Sequence, residues 1–252
     1  MIRTGPLETY CDELLNAPAF EDYCPNGLQV DAGTVEINSI VTGVTASMAL
    51  IEAAAAADAD LLLVHHGYFW KGEGTTLTGI KGQRVRLLMR EGINLMAYHL
   101  PLDAHPELGN NRTLGDRLAF PGAASIPGSE GLIWTAELPG GLTPAALSRR
   151  ITDALGREPM HIAGGRKGEL GRIGWCTGAA QGYLEQAAAA GMDAFISGEI
   201  SEQTVHLARE LGVHYFAAGH HATERFGVQA LGEHLEKRFG LHHQFIEIPN
   251  PV

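Results

Sequence analysis

Imidazole and carboxylate groups recur at short spacing in three parts of the chain. Two adjacent histidines directly follow an apolar run, and farther along a histidine twice stands four residues before a carboxylate. These groups are His65 with His66, His99 with Asp103, and His220 with Glu224. Imidazole nitrogens and carboxylate oxygens are the ligands that zinc and related divalent metals take in proteins. The three groups together offer enough ligands for two metal ions.

An apolar segment typical of a buried strand precedes each of the three groups. Because ligands of open α/β sheets gather at the carboxyl ends of strands, we expect the groups to converge on one cleft. Neighbouring side chains of a straight strand point to opposite faces, so His65 and His66 suit two adjacent metals better than one. We expect a helix over residues 223–239, with Glu224 in its first turn.

The two halves of the chain share one order of elements: strand, alanine-rich helix, strand, helix, strand. The segment 121–131 is rich in Pro, Gly and Ser and is typical of a connection between the halves. Aligning the halves matches His66 with Glu199, His99 with His220, and Asp103 with Glu224. Alternating strands and helices predict an α/β fold, and the repeat predicts two lobes, residues 1–125 and 126–252. A chance likeness of two βαβ stretches is the alternative.

Composition limits the classes of function. With 45% hydrophobic and 19% charged residues among 252, the chain has the composition of a globular protein, without a bilayer-spanning stretch. The first residues lack the apolar core of a secretory signal, so we expect a cytoplasmic protein with no membrane partner. A net charge of −11 without a basic tract does not favour nucleic acid, although a local basic patch is compatible with it.

The three cysteines are odd in number and far apart in the sequence. They form no CxxC pair, which argues against a disulfide framework and against a thiolate zinc site. Any bound metal would therefore have nitrogen and oxygen ligands.

Four segments resemble the YbgI-like dinuclear-metal-centre family, whose members are called GTP cyclohydrolase I type 2 homologues. The segments are PNGLQV at 25–30, VHHGYFWKG at 64–72, YHLPLDAH at 98–105 and GHHATER at 219–225. The resemblance runs the whole length of the chain. It implies two intertwined α/β lobes with a dinuclear metal site in the cleft between them, assembled as a homohexamer. It also implies two zinc, iron or manganese ions, with the ligands His65, His66, Asp103, His220 and Glu224.

Five ligands on two metals leave coordination positions open, and such positions mark reactive sites rather than structural ones. Hydrolysis of a small-molecule substrate is the natural reaction class, and the resemblance favours a nucleotide, with GTP ring opening as the specific activity. His99 is a candidate orienter or general base, and Glu199 is a weaker candidate for proton transfer. A phosphoester hydrolase acting on nucleotides or nucleic acid is the second hypothesis. The third is a metal-binding adaptor or regulatory ring without activity.

Two further sets of residues allow alternative interpretations. The aromatic segment 68–70 could stack on a purine, although aromatic residues are more common in a core or a subunit contact. Three asparagines could orient a substrate or could form turns: Asn26, Asn110 and Asn111.

Overall fold

The computed structural model describes residues 1–165 and 168–252. The strands in chain order are β1 (Ile2–Arg3), β2 (Gly27–Val30), β3 (Glu36–Ile37), β4 (Ser39–Thr45), β5 (Leu61–His66), β6 (Asn94–Ala97), β7 (Ala124–Ser125), β8 (Trp134–Leu142), β9 (Met160–Ile162), β10 (Leu170–Trp175), β11 (Ala194–Ser197), β12 (His214–Ala217) and β13 (His242–Phe245). The helices are α1 (Thr4–Leu15), α2 (Met48–Ala56), α3 (Gly79–Glu91), α4 (Leu100–Ala104), α5 (Asn110–Arg117), α6 (Pro144–Leu155), α7 (Leu184–Ala189), α8 (Glu202–Leu211) and α9 (His220–Phe239). The predicted α/β class is confirmed.

The described chain divides into two compact units. Unit 1 comprises Met1–Leu102 and Gly227–Pro249, and unit 2 comprises Asp103–Phe226 and Asn250–Val252. The division of the sequence into repeats 1–125 and 126–252 stays a prediction.

Unit 1 contains a five-stranded sheet in the order β13-β4-β5-β6-β2. The first four strands are parallel, and β2 pairs antiparallel with β6 at the edge. Because β5 has a neighbour on each side and packed faces, five of its six residues are buried. This explains the continuous apolar run that precedes the adjacent histidines, which is typical of a central parallel strand.

Unit 2 contains a six-stranded sheet in the order β7-β8-β10-β11-β12-β9. The strands β10, β11 and β12 are parallel, and β9 pairs antiparallel with β12. Each unit thus contains three parallel strands in chain order, β4-β5-β6 or β10-β11-β12, followed by an antiparallel edge strand, and unit 1 has β13 as a fourth parallel strand. In unit 2, Ser197 pairs with Ala217, so the residues after β11 and β12 leave the sheet side by side.

The helix that follows β12 begins earlier than the sequence indicates. The expected helix over 223–239 in fact begins at His220, so Glu224 is the fifth residue of α9 rather than a residue of its first turn. His220 and Glu224 are therefore neighbours at i and i+4 on one face of a helix. Among the described residues, none of the helices is long and apolar enough to cross a membrane.

A buried hydrogen bond fixes β13 against β4 in unit 1. The Oγ1 atom of Thr42, whose side chain is buried, lies 2.8 Å from Nε2 of His243. Burial lowers the pKa of His243 below its ordinary value of 6.5, with a further decrease from His242, and together these outweigh the opposing effect of Glu236 and Glu233. Protonation of His243 is therefore less favourable in the folded chain than in the unfolded chain.

We predict that acidification destabilises the protein partly through His243. The unfolded state takes up the proton as the pH falls through about 6.5, so the free energy of unfolding decreases there. A His243→Gln variant keeps a polar group but does not titrate, so its stability should change less between neutral and mildly acidic pH. Urea unfolding across this pH range tests this, with His206→Gln on the exposed part of α8 as control. If the free energy of unfolding changed equally with pH in the wild type and in His243→Gln, His243 would not contribute to the acid sensitivity.

Candidate metal-binding residues

The ring of His65 is held in one tautomer at the end of β5. Its Nδ1 lies 2.9 Å from the carbonyl oxygen of Tyr98, and the side chain is fully buried. A carbonyl oxygen only accepts, so Nδ1 carries the hydrogen and the lone pair is on Nε2. Histidine ligands of metals are commonly oriented in this way. The contact therefore prepares Nε2 of His65 as a ligand.

Three imidazoles of unit 1 lie close together. One ring nitrogen from each of His65, His66 and His99 lies within 4.8 Å of the others. The centroid of the His65 ring is 4.6 Å from that of His66 and 5.1 Å from that of His99. The rings of the adjacent histidines are thus close together, although neighbouring side chains of a straight strand point to opposite faces.

The turn after His66 depends on a glycine. A Cβ atom at Gly67 would lie 2.1 Å from Oε1 of Gln29 and 2.8 Å from Cβ of Ala97, so these side chains would have to move. The same Oε1 accepts from the backbone N–H of Tyr68 at 2.7 Å. Gln29, within the PNGLQV segment, therefore fixes the chain immediately after the two histidines.

His99 is oriented by a buried carboxylate that the sequence did not indicate. Nδ1 of His99 lies 2.7 Å from Oδ1 of Asp22, and the backbone N–H of His99 donates to Oδ1 of Asn26 at 2.8 Å. Burial raises the pKa of Asp22, but the hydrogen bond and charge of His99, with smaller contributions from Asn26 and the backbone, outweigh it and lower the pKa. The ionised Asp22 accepts the Nδ1 hydrogen, which leaves the lone pair of His99 on Nε2.

Asp103 of unit 2 is positioned through one of its two carboxylate oxygens. Nδ2 of Asn110 donates to Oδ1 at 2.9 Å, and Oγ1 of Thr177 donates to the same atom at 3.3 Å. Asn111 donates to the backbone oxygen of Asp103 and accepts from the backbone N–H of Thr177. Both side-chain donors therefore hold the carboxylate through Oδ1.

Two carboxylates contact His220. Nδ1 lies 2.7 Å from Oε1 of Glu199, and Nε2 lies 2.9 Å from Oε2 of Glu224. Burial lowers the pKa of His220, but the hydrogen bonds and charges of Glu224 and then Glu199 outweigh it and raise the pKa to about 9. An anionic environment at Nε2 attracts a proton or a metal cation alike.

Asp103 and Glu224 also approach each other within unit 2, with carboxylate oxygens within 4.8 Å. Both are buried, and their charges add to burial in raising the pKa of Cys176, so that thiol stays protonated. Two buried carboxylates repel each other unless a cation lies near them. This part of unit 2 therefore fits a divalent metal with oxygen and nitrogen ligands.

A glycine gives Glu224 the space that it occupies. Gly178 has a φ of +70°, and a Cβ atom there would lie 1.9 Å from Oε1 of Glu224 and 3.4 Å from Nε2 of His220. The conformation and the contact both require glycine. Gly182, in contrast, has no atom within 4 Å of its Cβ position.

Seven residues were predicted for the site, and the structure places them in two groups, one in each unit. His65, His66 and His99 lie together in unit 1. Asp103, Glu199, His220 and Glu224 lie in unit 2, where Glu199 contacts His220. Asp22 and Thr177 were missed because each is far along the chain from the residue it orients. Asn26 and Asn110 were noted only as turn or substrate residues.

The comparisons with known proteins agree on one family. The model of the Duf34/NIF3 (NGG1p interacting factor 3) family matches residues 3–251. The chain is 57% identical to the "GTP cyclohydrolase 1 type 2 homolog" of Allochromatium vinosum, covering 98% of this chain and 96% of that protein. It is 53% identical to the protein of the same name from Pseudomonas aeruginosa, and the match covers 100% of this chain and 99% of that protein. A solved structure titled "protein ybgI, unknown function" superimposes with a TM-score of 0.94 at 47% identity, covering 100% of both chains. The chain therefore belongs to the Duf34/NIF3 family.

We predict that Gly178→Ala displaces Glu224 and reduces the affinity for divalent metal by roughly 10- to 100-fold, the range found when a ligand loses its support. The control is Gly182→Ala, where the added methyl group meets no atom. Zinc titration in the presence of a competing chelator measures the affinity, and thermal unfolding confirms that both variants fold. Equal zinc affinity in the two folded variants would show that zinc binding does not depend on the present position of the Glu224 side chain.

Proposed function

We propose that this Duf34/NIF3 protein binds two divalent metal ions and hydrolyses a small-molecule substrate with them. The proposed ligands are those that the resemblance implies: His65, His66, Asp103, His220 and Glu224. A nucleotide is the favoured substrate, because relatives more than 50% identical to this chain carry the name GTP cyclohydrolase 1 type 2 homolog.

The observation that carries the proposal is the state of the histidine rings. The carbonyl oxygen of Tyr98 accepts the Nδ1 hydrogen of His65, and the carboxylate of Glu199 accepts that of His220. Both contacts leave Nε2 as the nitrogen that binds a metal.

The identity of the donors limits the metal and the chemistry. Imidazole and carboxylate ligands suit zinc, iron and manganese alike, so the proposal extends to all three metals. A bound divalent ion polarises the bond under attack and allows water to act as a nucleophile near neutral pH. Five protein ligands on two ions leave room for water and substrate, as in catalytic rather than structural sites.

His99 is suited to accept a proton in this reaction. The hydrogen bond from Nδ1 to Asp22 holds the lone pair on Nε2, and the ionised carboxylate stabilises the imidazolium that forms. We therefore propose His99 as general base. Glu199 was the second candidate for proton transfer, and its contact with Nδ1 of His220 supports an orienting role for this residue.

The reaction is tested by incubating GTP with protein reconstituted with manganese, zinc or iron. Release of formate by the wild type, and its loss in Glu224→Ala, is the expected result for ring opening. Phosphate without formate would instead support the second hypothesis, a metal-dependent phosphoester hydrolase.

The adaptor hypothesis predicts a different outcome of the same experiment. Absence of turnover with two bound ions per chain would contradict GTP hydrolysis. The assembly state with and without metal would then be measured by sedimentation, because the resemblance implies a homohexameric ring. Metal-dependent assembly without turnover would support a regulatory or adaptor role.

We predict that Asp22→Asn lowers kcat by roughly 10²- to 10⁴-fold, the usual contribution of a positioned general base, with little loss of bound metal. The amide is similar in size but carries no negative charge to orient and stabilise His99. A His99→Gln variant should lower kcat to a similar degree, and the double variant should lose little more, because the two residues act as a unit. Metal content and kcat are measured on the same samples. Loss of metal in proportion to activity would refute a role limited to proton transfer.

A further inference from the structure

Two aromatic side chains of unit 1 flank the ring of His99. The centroid of the Trp70 ring lies 5.0 Å from that of His99 and 5.8 Å from that of His66. The ring of Tyr23 lies 6.4 Å from His99, and Tyr23 is 61% exposed. We call Tyr23 and Trp70 the aromatic pair. The pair lies beside the candidate metal ligands, where a substrate would be bound.

The backbone before Trp70 adopts a conformation that phenylalanine rarely takes. Phe69 has a φ of +65°, in the left-handed region that disfavours bulky side chains. Oε2 of Glu73 accepts from the backbone N–H groups of both Phe69 and Trp70, at 2.8 and 3.2 Å. Such strain persists only where surrounding contacts enforce it, and it is concentrated at functional sites. The strained turn places the Trp70 ring beside His66 and His99.

Further contacts fix the position of the aromatic pair. Nε1 of Trp70 donates to the carbonyl oxygen of Gly67 at 3.2 Å. The backbone N–H of Lys71 donates to the carbonyl oxygen of Tyr23 at 2.6 Å, which ties the two aromatic segments together. The Trp70 ring and the backbone of Tyr23 are therefore held in place before any ligand binds, which lowers the entropy that binding costs.

The neighbouring aromatic residues have a different role. Tyr68 is only 4% exposed, and its hydroxyl donates to the carbonyl oxygen of Ala46. Phe69 packs against the core of unit 1. Trp70 of the aromatic segment 68–70 thus contacts the rings of His66 and His99, and Tyr23 contacts His99 from another part of the chain.

We infer that the aromatic pair binds a planar heteroaromatic ring of the substrate, with Trp70 as the principal stacking surface. This inference rests on the proposed function, because it assigns the substrate class of that same site. An indole face gains dispersion and quadrupole energy from a flat ring that stacks on it, and every nucleobase has such a face. Trp70 would thereby determine which phosphate- or sugar-bearing molecules the site accepts.

The chain offers a direct reporter of this contact. It has three tryptophans, and the other two, Trp134 and Trp175, are 4% and 0% exposed in unit 2. Fluorescence that responds to a bound ring therefore arises from Trp70. Titration of the metal-loaded full chain with guanosine 5′-monophosphate should quench it, whereas ribose 5-phosphate, which lacks the ring, should not.

Equilibrium dialysis with the same two compounds measures the affinity itself. We expect Trp70→Leu to weaken binding of guanosine 5′-monophosphate by roughly tenfold or more, and Trp70→Phe to retain most of it. Tyr23→Leu should weaken binding several-fold without affecting folding, because Tyr23 is mostly exposed. Met89→Ala, at an exposed position of α3, is the control and should bind as the wild type does.

The outcomes separate this inference from the proposed function. Binding that depends on the ring and on Trp70, without turnover of any nucleotide, would support the inference and contradict the hydrolase. Equal affinity for the two compounds, or equal affinity in folded Trp70→Leu and Met89→Ala, would overturn the inference. Turnover of a ring-free phosphoester that is unchanged in Trp70→Leu would contradict the inference and leave the hydrolase standing.

Discussion

The hydrogen bond at Nδ1 of each oriented histidine is the interaction on which the candidate site depends. The acceptor is a carbonyl oxygen for His65 and a carboxylate for His99 and for His220. Each bond fixes the ring in space and engages Nδ1, so that Nε2 is the nitrogen directed at a metal. For His220, a metal would replace the proton that lies between Nε2 and Glu224. If these acceptors were lost, the imidazoles could rotate or exchange tautomers, and the close grouping of ring nitrogens would have no defined function. The acceptors therefore matter as much as the ligands themselves.

The folds of the two units provide these contacts in similar ways. The parallel strands β5 and β11 end beside β6 and β12, so the residues that follow neighbouring strands meet at one edge of each sheet. Glycines then remove the Cβ atoms that would obstruct the approach, with Gly67 beside Gln29 and Gly178 beside Glu224. The positions are thus set by backbone geometry, and the asparagine and threonine side chains complete the hydrogen bonding.

The sequence predicted the strands that precede the candidate ligands, but not the residues that orient those side chains, and the ligand set itself stays a prediction. The apolar run ending at His65 and His66 predicted β5 correctly, because central parallel strands are apolar on both faces. The predicted start of α9 was wrong by three residues: the helix begins at His220, whereas Thr223 is a residue type that commonly begins a helix. Asp22 could not be predicted as the partner of His99, because 77 residues separate them and only tertiary packing joins them. Thr177 was missed for the same reason.

The most direct test of the account is anomalous X-ray scattering from crystals of the zinc-loaded protein, recorded at the zinc edge. The account predicts two ions per chain, with Nε2 of both His65 and His220 as ligands and Nδ1 of each still bonded to oxygen. Fewer than two ions, or an ion bound through Nδ1 of either histidine, would contradict the central claim that these hydrogen bonds prepare the rings for metal.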